Sequence, residues 1–280
     1  MKARDYKDSP LSAATVRTPL SAVIITLNAA TQLEACLVSL SFADEIVVVD
    51  SGSTDDTVKI AHRHGARVIA QAWLGFGAQK QFAVEQATHD RVLCLDADER
   101  ITPALQNSIA ETLVHQGYSG ITAWRMARAN VFMGRVLRYG EGYPDWNLRL
   151  FDRRSARWSN DPVHENVVVG AGVTIATLQG DLMHESSETL AIYLVKQNRY
   201  TGLQAQQLFA QGRRASGLRI ALAPVARFIK FYLLRRGFLD GVPGLVHILI
   251  GCQNSMQKYA KLRELTSKGE STGGRSTGGH

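Results

Sequence analysis

Short unbroken apolar runs alternate with stretches of helical periodicity along the first hundred residues. The runs are Ala22-Val23-Ile24-Ile25, Ile46-Val47-Val48-Val49, Arg67-Val68-Ile69-Ala70 and Val92-Leu93-Cys94-Leu95. Continuous rather than alternating apolarity marks strands covered on both faces. Between the second and third runs, Ser53-Thr54-Asp55-Asp56 reads as a helix start of capping-box type with acids in the first turn, and Gly65 as its stop. Strand, helix and strand in that order make a βαβ unit, and its repetition predicts an α/β domain on a mostly parallel sheet.

The pattern changes after residue 186. Thr189 to Gln211 carries an apolar stripe at helical spacing, and Leu218 to Arg236 and Val242 to Leu265 read as further helices joined by Gly237-Phe238-Leu239-Asp240-Gly241. The expected organisation is a flexible N-terminus (1–20), a catalytic α/β domain (21–186, divided at residue 100), a basic helical region (187–265) and a flexible tail (266–280) that repeats Ser-Thr-Gly-Gly. Residues 1–20 lack the apolar core of a secretory signal, so a cytoplasmic location is expected. The apolar stretches near 220–234 and 242–252 are broken by Pro224, Arg227, Lys230, Pro243 and His247, short of the ~20 apolar residues that span a bilayer.

Composition narrows the class. In 280 residues, 45% are hydrophobic and 20% charged, the balance of a globular protein. The three cysteines, Cys36, Cys94 and Cys252, lie far apart and make neither a zinc pattern nor a disulfide framework, so they read as free thiols. A net charge of +7 implies an acidic partner: nucleic acid, anionic lipid or a phosphorylated substrate.

The residues that follow each strand carry the chemistry. The first run leads into Thr26-Leu27-Asn28, the second into Asp50-Ser51-Gly52-Ser53, the fourth into Asp96-Ala97-Asp98-Glu99. In open α/β sheets ligands bind beyond the carboxyl ends of strands, so these groups should gather on one edge. A strand period of two aims Asp96 and Asp98 to the same side, where paired like charges call for a cation, and a hard divalent ion bridging to a diphosphate would supply it.

The succession SAVIITLN, DEIVVVDSGSTDDT and RVLCLDADE resembles the nucleotide-sugar-binding half of the inverting glycosyltransferases of family 2, with the Rossmann-like GT-A fold. The resemblance implies that Asn28 and Asp50 face the nucleoside. It further implies that Asp96 and Asp98 hold the ribose, the diphosphate and Mg²⁺ or Mn²⁺. Many members place a second acid after the second strand; here that position is Ser51.

Between Arg125 and Arg157 there are eight arginines, no lysines and three acids, interleaved with aromatics. Guanidinium forks suit phosphate and carboxylate oxygens, so Arg149 and Arg153 are expected on an anionic acceptor; no nucleic-acid motif accompanies them. YPDWNLRLF (143–151) followed by Val163-His164-Glu165, then KQNRYT (196–201) and GFLDG (237–241), narrows the resemblance to the bacterial lipopolysaccharide and lipooligosaccharide inner-core β-1,4-glucosyltransferases. It implies a UDP-glucose donor, an anionic lipid-linked acceptor, Glu165 as general base with Asp145 as its rival, and His184 as a further metal ligand.

From Leu190 to Leu265 twelve bases face two acids, a pattern of helices that lie on an anionic membrane surface; Arg227, Lys230, Arg235 and Arg236 are the expected lipid contacts. The reading is a metal-dependent glycosyltransferase peripheral to the inner face of the cytoplasmic membrane. Two alternatives stand beside it. One is a haloacid-dehalogenase-like phosphatase, which would place its Asp-x-Asp pair after the first strand rather than the fourth. The other is a non-catalytic, membrane-associated scaffold that binds nucleotide sugars.

Overall fold

A computed structural model describes residues 17–115, 121–160, 165–186 and 189–273. The expected flexible ends before residue 17 and after 273, and Val163 and His164, lie outside the described residues. The first half alternates as the apolar runs require: β1 (Leu20–Thr26), α1 (Ala30–Ser39), β2 (Glu45–Asp50), α2 (Thr57–Arg63), β3 (Arg67–Ala70), α3 (Phe76–Gln86) and β4 (Arg91–Asp96). These strands pair in parallel in the order β3-β2-β1-β4. Their alternate side chains enter two cores. Ala22, Ile24, Val48, Leu93 and Leu95 pack with α1 and α2, while Val23, Ile25, Val47, Val49 and Cys94 pack with α3. That two-sided burial is why polar alternation is absent from these strands.

The chain then builds β5 (Glu99–Ile101), α4 (Pro103–His115), β6 (Ala123–Phe132), β7 (Arg135–Val136), β8 (Asp145–Asp152), β9 (Ala156–Trp158), β10 (Val167–Val169) and β11 (Ile175–His184). The sheet continues from β4 through β8, β6 and β11 to β5, while β9 and β10 form a separate ribbon. β6 and β11 run with the first four strands; β8 and β5 run against them.

Register brings the polar strand ends to one edge. Thr26 pairs with Asp50 and Ile25 with Asp96. Because β8 is antiparallel, its first residue, Asp145, returns to that edge opposite Arg128, and His184 lies between Asn130 and Glu99. Gly180, at φ +91°, permits a close approach: a Cβ there would meet the Leu105 backbone nitrogen at 2.3 Å, where α4 crosses β11.

Three helices follow: α5 (Leu190–Ala210), capped by Thr189; α6 (Gly217–Phe228), capped by Ser216; and α7 (Gly241–Gly273). The expected single helix from 218 to 236 divides. With Pro224 in its interior, α6 gives way to a π-helical turn, Ile229–Leu234, then to a 3₁₀ turn, Gly237–Asp240. α7 continues to Gly273, so 266–273 are helical. The buried Asp240 carboxylate fastens this unit to the sheet domain by accepting the backbone N–H groups of Arg138 (3.1 Å) and Tyr139 (2.8 Å).

Candidate active site

Two loops close the sheet edge beyond β1 and β2. Asp50 is 4% exposed and spends both carboxylate oxygens locally, accepting from Thr26 Oγ1, the N–H groups of Gly52 and Ser53, and Ser53 Oγ. Burial alone would raise its pKa; the bonds from Ser53, Gly52 and Thr26 outweigh that and hold the carboxyl below its usual range. Asn28, in the left-handed region, accepts from the Thr54 N–H at 2.8 Å, and its own N–H donates to Ser53 Oγ. Ser53 and Thr54 therefore belong to this laced loop and not to a helix start: α2 begins at Thr57, with Asp55 accepting from the Thr57 N–H. Ser51, at the family's second acidic position, accepts from Gln79 Nε2 at 3.1 Å.

Beyond this loop, one chain of alternating charges crosses the edge. Glu165 meets Lys80 Nζ at 3.4 Å; Lys80 reaches Asp96 at 3.0 Å; Asp96 accepts from Arg149 at 2.9 Å. Arg149 also donates to Glu99 at 2.8 Å, Glu99 lies 3.5 Å from Arg128, and Arg128 binds Asp145 at 2.9 Å and 2.7 Å. The Trp158 ring lies beneath two of the cations, with Lys80 Nζ 4.8 Å and the Arg149 guanidinium carbon 5.5 Å from its centre. Burial would raise the Asp96 carboxyl, but Arg149 and Lys80 outweigh it and hold the group far below the carboxylate range. Gly77 makes room for the Glu165 end: a Cβ there would stand 2.1 Å from the Ser159 carbonyl oxygen and 3.4 Å from Glu165 Cβ.

Asp96 and Asp98 do not converge as the strand period predicts. β4 ends at Asp96 and the chain turns at Ala97-Asp98, so Asp96 points to Lys80 and Arg149 while Asp98 points to His184. Among the described residues no group of three or more His, Cys, Asp or Glu side chains is placed to hold a metal ion. The expected set of Asp96, Asp98 and His184 reduces to a pair, with Asp98 Oδ2 3.2 Å from His184 Nε2.

That pair fits a divalent ion. Asn130 donates its amide to the Gly142 carbonyl (3.4 Å), which turns its Oδ1 to His184 Nδ1 at 2.8 Å. An Nδ1–H of the imidazole is thereby directed to Asn130, and Nε2 faces the Asp98 carboxylate. One imidazole nitrogen and one carboxylate, with the imidazole oriented from behind, form a partial ligand set that diphosphate oxygens would complete. Beside it a cavity of about 400 Å³ opens between β6, β11, α5 and α7. Phe132 is part of its wall, with ring centres of Tyr193 at 5.6 Å and His247 at 5.3 Å.

Several expected roles move. Arg149 is 3% exposed and held by Asp96 and Glu99, so it is an internal counter-charge and not an acceptor contact. Arg153 binds Asp90 and the Ala87 carbonyl, beside the N-terminal end of β4. Arg227 turns inward to Glu141 and Ser255. Lys80 escapes the sequence reading because a single lysine in a helix looks solvated; only the packing of α3 under β9 buries it. Glu99 adjoins Asp98 and was within reach of the motif, but its role depends on β5 pairing with β11.

The family model for glycosyl transferase family 2 matches residues 21–176. An uncharacterized glycosyltransferase of Rickettsia bellii is 34% identical over 257 residues, covering 88% of this chain and 87% of its own. The lipopolysaccharide core biosynthesis glycosyltransferase LpsC of Rhizobium meliloti is 31% identical over 255 residues, covering 86% of this chain and 93% of its own. Among solved structures, glucosyl-3-phosphoglycerate synthase of Mycobacterium tuberculosis with Mn²⁺, UDP-glucose and phosphoglyceric acid aligns at TM-score 0.44 and 21% identity, over 72% of this chain and 82% of its own. The chain belongs to glycosyltransferase family 2. It is an α/β transferase of the GT-A type with C-terminal helices, and the phosphatase alternative is set aside.

Proposed function

We propose that this transferase moves glucose from UDP-glucose, with inversion, to the inner core of a lipopolysaccharide at the cytoplasmic face of the membrane. The observation that carries the reading is the alternating charge chain, which holds Glu165 on the same lysine as Asp96, one turn from the Asp98–His184 pair. The likeness to LpsC supports the acceptor class. Among the described residues no helix is long and apolar enough to cross a membrane, so a lipid-linked acceptor would be met at its surface.

The acceptor hydroxyl oxygen attacks the anomeric carbon from the face opposite the diphosphate, the bond from that carbon to the phosphate oxygen breaks, and UDP leaves with the electron pair. Glu165 takes the hydroxyl proton. Asp145 is the less available proton acceptor because two nitrogens of Arg128 occupy it, whereas Glu165 meets Lys80 at the longer distance of 3.4 Å. Asp98 and His184 would hold Mg²⁺ or Mn²⁺, whose charge stabilises the leaving diphosphate. Asn28 and Asp50 shape the nucleoside end through the loop they lace, Asp96 reaches the ribose and diphosphate, and the Phe132 cavity receives the acceptor sugar.

Glu165→Gln preserves shape and removes the proton acceptor, so transfer from UDP-glucose should fall about 10²- to 10⁴-fold with donor affinity near normal. If Asp145→Asn shows that loss and Glu165→Gln does not, the roles are reversed. A panel of UDP- and GDP-sugars with Mn²⁺ or Mg²⁺, scored for hydrolysis, identifies the donor.

A further inference from the structure

One face of α6 is apolar and open to solvent. No residue of α6 is fully buried, and Leu218, Leu222, Val225, Ile229 and Leu233 are each 45–68% exposed. Their spacing of four, three, four and four residues aligns them in one stripe along the helix and its π-helical continuation. Scattered exposed apolar residues are ordinary; a continuous stripe is an interaction surface.

Beside the stripe, a groove of about 600 Å³ runs between α6 and α7, and Leu218 and Leu222 belong to both. Its lining carries Arg219, Lys230 and Lys258 and no carboxylate. Arg219 and Lys258 lie against the Tyr259 ring, at 4.9 Å each from its centre, and Lys230 lies 5.2 Å from the Phe231 ring. No ion pair to an acid is found for these three among the described residues, although every cation of the charge chain across the sheet edge has one. The fourth basic residue of the lining, Arg227, is neutralised from behind by Glu141. Like charges gathered without a counter-charge repel one another, and an anion placed among them relieves that cost.

We propose that this groove binds the phosphate of an anionic glycerophospholipid in the bilayer while the adjoining stripe of α6 enters the headgroup and acyl boundary. Cations beside an apolar stripe match the order of charge and hydrocarbon met by a helix lying in a membrane surface. The assignment rests on the membrane half of the proposed function and gives it a location: Arg219, Lys230 and Lys258 hold lipid, and Arg227 holds the fold.

The test is flotation of the full chain with vesicles of phosphatidylcholine alone and of phosphatidylcholine containing phosphatidylglycerol, at low and physiological salt. Wild type should float with the anionic vesicles and lose binding as salt rises. R219A/K258A should lose binding about tenfold or more. K59A/R63A removes the same charge from cations paired with Asp56 and Glu34, and should bind within twofold of wild type. L222E/V225E should lose binding even at low salt. Melting by circular dichroism and hydrolysis of UDP-glucose in solution should be unchanged in all three, separating surface attachment from folding and from the transferase reading. Equal losses in R219A/K258A and K59A/R63A would reduce the effect to net charge and overturn the groove. Wild-type binding by L222E/V225E would overturn the stripe. Absence of wild-type flotation at any composition would remove the membrane half itself, and the groove with it.

Discussion

The sheet edge and the groove between α6 and α7 both concentrate cations, and they treat them in opposite ways. At the edge, Lys80, Arg149 and Arg128 are threaded between Glu165, Asp96, Glu99 and Asp145, so every cation touches two carboxylates. In the groove, Arg219, Lys230 and Lys258 have aromatic rings for neighbours and, among the described residues, no carboxylate. Internal pairing fixes the direction of each side chain, which a reaction centre needs, and it consumes the charge in doing so. Unpaired cations leave their field available to a ligand. Proximity to the proposed reaction centre and availability to an anion are therefore separate properties of this molecule's cations.

The comparison is broken most directly by deleting one cation from each region. Arg149→Met would leave Glu99, 0% exposed, without its strongest partner; loss of one member of a buried pair costs about 3–5 kcal/mol. Arg219→Met removes a charge from an exposed position and should change stability by less than about 0.5 kcal/mol. Denaturant unfolding of the two variants measures the difference. Equal effects would mean that the groove cations are structural after all.

This division was only half legible in the sequence. The apolar runs and the polar groups after them predicted β1, β2, β3 and β4 and the edge where Asn28, Asp50, Asp96 and Asp98 gather, because a buried parallel strand has a one-dimensional signature. The partners were hidden because they arrive from distant elements. Lys80 comes from α3 and Arg149 from β8, 16 and 53 residues from Asp96, and the antiparallel insertion of β8 beside β4 has no local signal. Arginine counting suggested a single anion-binding band in the middle segment; the fold buries Arg149 and sends Arg153 to the opposite end of β4. In the helical region the count of bases could not distinguish Arg227, turned to Glu141, from Lys230 one turn on.

A smaller effect sharpens the same contrast by titration. Glu45, at the start of β2, is a carboxylate satisfied within the fold: burial would raise it, but bonds from Ser21, Arg67 and Thr88 bring it down to about 2. A depressed carboxylate contributes stability that is present above its unfolded value, ~4.3, and is lost as pH falls through the folded value. The loss should amount to about 2 kcal/mol between pH ~4.3 and 2, after allowance for solvent at its rim. Glu45→Gln should flatten that part of the stability profile, read by denaturant unfolding at each pH. A wild-type profile already flat across the window would show that these bonds contribute little.

The smallest expected effect lies where the two regions join. Asp240 is 2% exposed and, among the described residues, forms no ion pair; it accepts the backbone N–H groups of Arg138 and Tyr139, on the segment between β7 and β8. Arg135 donates to the Leu239 carbonyl at 3.0 Å, and the Gly140 N–H donates to the Arg235 carbonyl at 3.0 Å, so the joint has neutral bonds besides the carboxylate. Asp240→Asn keeps one oxygen acceptor and nearly the same volume, and gives up the charge and the second acceptor. The cost should be about 1 kcal/mol, less than deleting a paired cation because the backbone bonds on either side remain. If the carboxylate acts as a fastening and not as a counter-charge, this loss should be independent of salt, whereas vesicle attachment through the groove should weaken as salt rises. Unfolding of Asp240→Asn at 50 mM and 500 mM salt tests that separation: a penalty that shrinks at high salt would make Asp240 part of the helical region's electrostatics and erase the boundary drawn between the two regions.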